Sequence, residues 1–327
     1  MYTQQSMHWI GRIMIKVKDL VDGSKGVGTY LVNNVTQGVT NKGSKYLSVT
    51  LGDDSGLIEG KFWNASEEDI INVIKGNIIE VNYDISVYNG ALQMRINSAT
   101  LADQAIDKSQ FVMKSSVPTE QLKDVIRTAC YSIQDPIYQQ LVLKVFAKVG
   151  QRFFEMPAAS KNHHNFYAGL ATHVMGMIKL GNVLCDLYPS LNRDLLISGI
   201  LLHDIGKCYE LDSYVATAYT IEGNLVGHIS IMHGHLMEIA HELNVEDKEQ
   251  TLLLRHMILS HHGLLEYGSP IRPALKEAEM LYYIDNIDAK MNMLDQLLDK
   301  CEPGNFSERC FALDNRRFYR PKEANEN

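Results

Sequence analysis

The sequence predicts a multi-domain α+β protein, a small five-stranded barrel followed by an all-helical domain. Three observations carry this. From about residue 10 to 103, apolar residues alternate or form short β-branched runs broken by turn clusters. From Pro118 the period becomes helical, with Leu122, Val125, Ile126 and Ala129 at i, i+3, i+4 and i+7. Between the two lies a polar connector, 103–116, in a chain of 327 residues, long enough for two cores. The expected boundaries are a barrel over 1–105, a linker and helical connector over 106–160, a helical domain over 161–300 and a tail over 301–327.

In the first part, Ile13-Met14-Ile15-Lys16-Val17 begins a β-type run, and Tyr30-Leu31-Val32 and the alternating 46–51 follow. The cluster 52–56 turns the chain into 57–63. Ser66 caps a short helix with Glu67, Glu68 and Asp69 in its first turn. Runs at 78–83, 87–88 and 92–96, turned at Asn89-Gly90, close the set as a hairpin. Five strands with one helix before the last hairpin is the outline of an OB-fold. Such barrels bind single strands by stacking bases on aromatics and tracking phosphates with Lys and Arg. The candidates are Tyr46, Phe62, Trp63, Tyr88, Lys61 and Arg95, with Tyr30 and Lys45 behind them. Barrels also need large core fillers, so some of these aromatics must point inward.

Composition sets the outer limits. The hydrophobic fraction is 45% and the net charge −8, so the whole chain is no polycation; any nucleic-acid surface must be local, or metal ions must supply the positive charge. Five scattered cysteines without a C-x-x-C pair form neither a disulfide framework nor a thiolate zinc site. They fit a reducing cytoplasm. Residues 1–10 carry no long apolar stretch, and no segment approaches the roughly 18 apolar residues of a membrane span.

Helices are expected over about 118–130, 136–149, 166–188, 192–204, 227–240, 247–260 and 273–299. They carry the chemistry. An apolar run, 195–202, leads into His203-Asp204, with Gly206 as the expected helix stop and Lys207 after it. His173 sits beside the apolar stripe of its helix, His228 opens another, His261-His262 ends a third, and Asp285 lies in the apolar part of the last. Imidazole and carboxylate together suit a first-row divalent metal. His163 and His164, in the loop before the His173 helix, are expected to touch substrate, as is Asp288, three residues from Asp285. Lys207 is placed to meet a phosphate oxygen. His233, His235 and His256 fall off the ligand faces. The stretch 209–224 reads as a loop or short hairpin over the site.

The order His173, His203-Asp204, Asp285 resembles the HD phosphohydrolase superfamily, and the added His228 and His261-His262 resemble its two-metal members. Barrel first and HD domain second, the chain looks like the YhaM-type 3′→5′ exoribonucleases of Gram-positive bacteria, on the stretches 60–65, 201–207, 222–228, 259–263 and 313–319. Two features separate it from other HD branches. The Gly-Tyr-Pro signature of cyclic-dinucleotide phosphodiesterases is absent, with Gly268-Ser269-Pro270 in that region. Lys207 and Cys208 stand where alarmone hydrolases need an acidic pair.

The resemblance implies two divalent ions, Mn first and Mg, Co or Fe next, held by His173, His203, Asp204, His228, His261, His262 and Asp285. Asp204 would be shared between the ions and act with Lys207 in catalysis. The implied substrate is single-stranded RNA, with single-stranded DNA beside it, and the product nucleoside monophosphates. Two other readings stay open: an HD phosphohydrolase for a small nucleotide with a regulatory barrel, and a non-catalytic nucleic-acid binder with a structural metal. The apolar face of the last helix leaves room for a homo-oligomer.

Overall fold

A barrel closes only if every strand pairs on both sides, and the long β1 (Lys25–Val39) completes the ring. Its first half pairs antiparallel with β4 (Ile78–Tyr88), and its second half with β2 (Lys45–Asp53). The register shifts between Val32 and Asn34 as the strand turns from one partner to the other. The ring is completed by β3 (Gly56–Trp63) and β5 (Ala91–Leu101) in the order β1-β2-β3-β5-β4, with β3 and β5 parallel. Between β3 and β4 lies α1 (Glu67–Asn72), capped reciprocally by Ser66 and Asp69. This is the expected OB-type barrel. Its core holds Tyr30, Leu47, Val49, Phe62, Tyr83, Met94 and Ile96.

The computed structural model describes residues 15–41, 43–103, 105–159 and 164–322, and divides them into two compact units at Lys114/Ser115. Several expectations change. Ile13 and Met14 lie outside the described residues, and Val17–Asp19 forms a 3₁₀ turn rather than a strand. The strand expected at Tyr30-Leu31-Val32 runs for 15 residues. Within the stretch 106–160, read from the sequence as a linker and helical connector, stand the two expected helices, α2 (Thr119–Ser132) and α3 (Pro136–Val149), whose Leu122, Ile126, Leu141 and Val145 join the main helical core.

The helical unit is arranged around one helix. After α4 (Gly169–Leu187) comes α5 (Arg193–Leu202), in which all eight residues from Leu195 to Leu202 are buried. A helix apolar on every side needs neighbours on every side. It packs against α2, α3, α4, α9 (Glu249–Ser260) and α10 (Lys276–Asp299). The remaining helices are the short α6 (Lys207–Glu210) and α7 (Ile221–Val226), then α8 (His228–Glu242). The segment 209–224 is thus a short helix, a bridge at Leu211–Tyr219 and the start of a second helix. The tail folds back on itself through bridges at Phe306–Tyr319 and Cys310–Arg316, as far as Lys322. Among the described residues no helix is long and apolar enough to cross a membrane.

Two glycines matter by close approach. The expectation that Gly206 stops the helix through a left-handed residue is not met: its φ is −54°, and the chain continues into α6. A Cβ there would lie 2.1 Å from the carbonyl oxygen of His228, so glycine lets this turn touch the start of α8. At Gly169 a Cβ would lie 1.9 Å from the carbonyl oxygen of His164. That close approach, and the left-handed Ala168 (φ 61°), delay α4 by three residues from its expected start at 166.

The start of α3 offers a direct check of helix capping. Asp135 accepts from the backbone N–H groups of Ile137 (2.8 Å) and Tyr138 (3.2 Å). Asp135→Ala should cost the helical unit about 1 kcal/mol, read by calorimetry as a fall in Tm of about 2–4 °C.

Candidate metal centre and barrel face

Two helix ends build the centre. α5 stops at Leu202 and α9 at Ser260, and His203-Asp204 and His261-His262 follow at once. The last carbonyls of a helix have no intrahelical donor. His203 Nδ1 fills one by donating to Ile200 O (2.9 Å), and His261 Nδ1 does the same to Ile258 O (2.7 Å). The other rings follow the same rule. His262 Nδ1 donates to Tyr267 O (2.6 Å), His228 Nδ1 to Glu210 Oε1 (3.1 Å) and His173 Nδ1 to Asp288 Oδ2 (2.7 Å). A carbonyl or carboxylate accepts only, so in each neutral ring Nδ1 carries the proton and Nε2 the lone pair.

Those Nε2 atoms gather around two carboxylates. His203 Nε2 is 3.3 Å from Asp204 Oδ2, while His228 Nε2 and His261 Nε2 are 3.4 and 3.6 Å from Asp204 Oδ1. His173 Nε2 is 3.3 Å from Asp285 Oδ1. These separations exceed the roughly 2.7–2.9 Å of a charge-assisted hydrogen bond. Among the described residues, His203 Nε2, His228 Nε2, His261 Nε2 and Asp204 Oδ1 are buried without a hydrogen-bond partner. Acceptors buried together and left unsatisfied are costly, and a divalent cation among them removes the cost. The donor atoms form two sets that share Asp204: Asp204, His228, His261 and His262, and His173, His203 and Asp204, each within 4.8 Å. An N/O set of this kind fits divalent transition metals.

Charge is arranged to keep the carboxylates ionised. Burial opposes ionisation of Asp204, but Lys207 Nζ at 2.7 Å from Oδ2, together with His203, holds its carboxyl well below the usual range. Asp204 in turn raises the Lys207 ammonium against its own burial. Lys207 is only 9% exposed, not a surface lysine. Burial likewise opposes ionisation of Asp285 and Asp288, but the nearby His173 pulls Asp285, and His164 together with His173 pulls Asp288, below the carboxylate range. Between these two acids, and against its complete burial, His173 is raised to about 9. Burial and the neighbouring His261 press His262 down to about 4.

Several site expectations move. His163 lies outside the described residues. Of His164 and Asp288, expected at the substrate, His164 is buried and Asp288 half-buried, and His164 donates through Nε2 to the same Asp288 oxygen (2.8 Å) that accepts from His173. Asn292 Oδ1 takes the His164 backbone N–H (2.7 Å). Together they fix the His173 ring. Glu210 gives no signal in the sequence, because its stretch reads as loop; it also accepts from the backbone N–H of His228 (3.0 Å).

On the barrel, strand parity sorts the aromatics. Phe62 is in the core, 4% exposed, and is withdrawn from the nucleic-acid surface. Its neighbour Trp63 faces outward, 45% exposed, and pairs across the strands with Tyr46, ring centroids 5.0 Å apart. Tyr46 also lies over Gly38, so one ring face is covered. Lys61 reaches over the Tyr46 ring (5.4 Å), and Arg95 is exposed beside it in the β3–β5 register. Tyr88, 61% exposed, stands apart at the end of the β4–β5 hairpin.

Two outcomes follow for the metal-free and metal-titrated protein. Glu210→Gln removes the charged partner of His228 and should weaken divalent-metal binding about 10- to 100-fold, read by titration calorimetry. In metal-free protein, His262 binds its proton more weakly folded (about 4) than unfolded (roughly 6.5). Its contribution to stability is therefore complete above that unfolded value and lost as the pH falls towards 4. His173 has the opposite sign: its contribution is complete below the unfolded value and lost as the pH rises through about 9. Chemical denaturation across pH should show both limbs, and His262→Asn should flatten the acid one.

Comparison with known proteins bears on the whole chain. Residues 170–290 match the HD domain family. The barrel resembles the second OB-fold domain of replication protein A from Methanococcus maripaludis, over 28% of this chain and 97% of that one, at 24% identity and a TM-score of 0.23. The 3′-5′ exoribonuclease YhaM of Geobacillus sp. (strain WCH70) is 45% identical over 293 residues, which is 89% of this chain and 90% of that protein. The 3′-5′ exoribonuclease YhaM of Bacillus subtilis (strain 168) is 43% identical over 293 residues, 89% of this chain and 93% of its own. With an OB-type barrel, an HD domain and this identity over nearly its full length, the chain belongs to the YhaM family of 3′-5′ exoribonucleases.

Proposed function

We propose that this chain is a metal-dependent 3′→5′ exoribonuclease that releases nucleoside monophosphates from single-stranded RNA, with Mn²⁺ as the preferred ion. The observation that carries the reading is the convergence of histidine Nε2 atoms on Asp204 and Asp285, each ring fixed through its Nδ1. His173, His203, Asp204, His228, His261, His262 and Asp285 would hold two ions, with Asp204 common to both sets. Bound divalent ions supply Lewis acidity and lower the pKa of water, which is what hydrolysis of a phosphodiester needs.

The remaining chemistry belongs to the side chains. Asp204 stays ionised at neutral pH because Lys207 compensates it. The Lys207 ammonium has three N–H groups, and with one spent on Asp204 the others remain for a non-bridging phosphate oxygen. Asp288, with His164 behind it, acts as a positioning residue for His173, and Glu210 does so for His228. On the barrel, Trp63 and Tyr46 offer stacking surface and Lys61 and Arg95 offer charge for an upstream stretch of strand. Single-stranded DNA would meet the same aromatic surface, which does not depend on a 2′-hydroxyl.

A gel time course tests the reading. With 5′-labelled single-stranded RNA, a ladder shortening from the 3′ end should appear with Mn²⁺, weaken with Mg²⁺, vanish with EDTA and be lost in Asp204→Ala. Intact RNA under every ion, in protein shown to bind metal, would overturn it in favour of a small-nucleotide substrate.

A further inference from the structure

The tail beyond α10 runs against the charge of the rest of the chain. Residues 300–322 hold Lys300, Arg309, Arg316, Arg317, Arg320 and Lys322 against only Glu302, Glu308 and Asp314, in a protein of net charge −8. Not all six cations are open to a ligand. Arg320 is spent on the carbonyls of Leu298 and Cys301 at the end of α10, and Arg316 pairs with Asp314 (3.2 Å). Among the described residues Lys300, Arg309 and Arg317 form no ion pair, although Arg309 Nη1 donates to Asn315 O (3.0 Å) and Arg317 Nε to Ser307 O (2.9 Å), leaving the other guanidinium N–H groups for a ligand. All three line a cleft of about 740 Å³ between the end of α10 and the folded-back tail.

Aromatic rings stand with them. Phe306, 57% exposed, lies on the cleft wall with the Arg317 guanidinium over its ring at 5.6 Å. Tyr319, 46% exposed, sits against Phe306, centroids 5.3 Å apart. Exposed rings and guanidinium planes beside cations outside ion pairs are the two halves of single-strand recognition: bases stack on the planes and phosphates meet the charges. Glu302 and Glu308 also line the cleft, and carboxylates there suit the amino groups of base edges better than bare phosphate. The cleft stands in the same unit as the metal centre, 12 residues beyond Asp285 on α10 at Leu297, or about 18 Å along the helix.

We propose that this cleft is a second binding site for single-stranded RNA, engaging a segment of the strand away from the metal centre. It rests on the exoribonuclease reading for the identity of the ligand and deepens it by adding a hold on the substrate outside the barrel. Lys300 and Arg309 meet phosphates, and Phe306 with Arg317 stacks a base.

The test is binding of a fluorescent single-stranded RNA to the full chain in EDTA, where no strand is cut. The variants are Lys300→Gln with Arg309→Gln, which touches only exposed side chains, and separately Phe306→Ala. The charge variant should bind about tenfold more weakly, and the slope of log Kd against log salt should shrink by about 0.7 for each phosphate that is no longer neutralised. Phe306→Ala should weaken binding about 5- to 100-fold without changing the salt slope. Photocrosslinking of thiouridine-substituted RNA to the unaltered protein should label residues 300–322. Unchanged affinity and slope in both variants, with crosslinks on the barrel alone, would overturn the proposal. So would unchanged RNA affinity joined to a changed sedimentation coefficient, which would make the cleft an interface between copies of the chain. RNA that binds as predicted but is never degraded with metal present would sink the exoribonuclease reading and leave the cleft standing.

Discussion

The Asp204 carboxylate is buried, 3% exposed, and the rest of the helical unit is arranged to tolerate it. An ionised carboxylate in an apolar interior is among the most expensive groups a fold can hold. Lys207 supplies one compensating charge from the next turn, at i+3. Three imidazole nitrogens crowd the carboxylate from α5, α8 and α9. α5, which delivers it, is enclosed on every side, so the carboxylate cannot swing out to water without dislodging a fully packed helix. A site that holds metal at neutral pH needs this kind of preorganisation, because flexible ligands would lose affinity to their own disorder.

Much of the centre is legible in the sequence because its ligand residues sit at marked places. An apolar run ending in His-Asp, a helix opening on His228 and a helix closing on His261-His262 are all visible in one dimension. The acceptors that orient the rings are not. Ile200, Ile258 and Tyr267 contribute main-chain oxygens, which any residue type would provide, so composition and spacing say nothing of them. Gly206 is visible but ambiguous: left-handed helix ends and close backbone approaches both select glycine, and only the neighbouring carbonyl of His228 separates the two.

The barrel shows a different limit. Phe62 and Trp63 are adjacent, so one must face the core and the other solvent. The choice turns on register, and a shift of one residue reverses it. The length of β1 is hidden for another reason. Glycine, asparagine and threonine interrupt its apolar pattern, and its pairing with both β2 and β4 extends it beyond what propensity alone would support. His164 and Asp288 illustrate a third case, polar residues near a site whose hydrogen bonds run to His173, a link that spacing along the chain does not show.

The five rings are anchored in two unlike ways, and this bears on how the enzyme can evolve. His203, His261 and His262 are held by carbonyls of the main chain, His173 and His228 by the carboxylates of Asp288 and Glu210. No point substitution deletes a carbonyl, so three of the rings are shielded from mutational drift in their orientation. The two carboxylates are open to it. Variation in metal preference among relatives should therefore accumulate at the partners of His173 and His228, the adjustable side of an otherwise fixed centre.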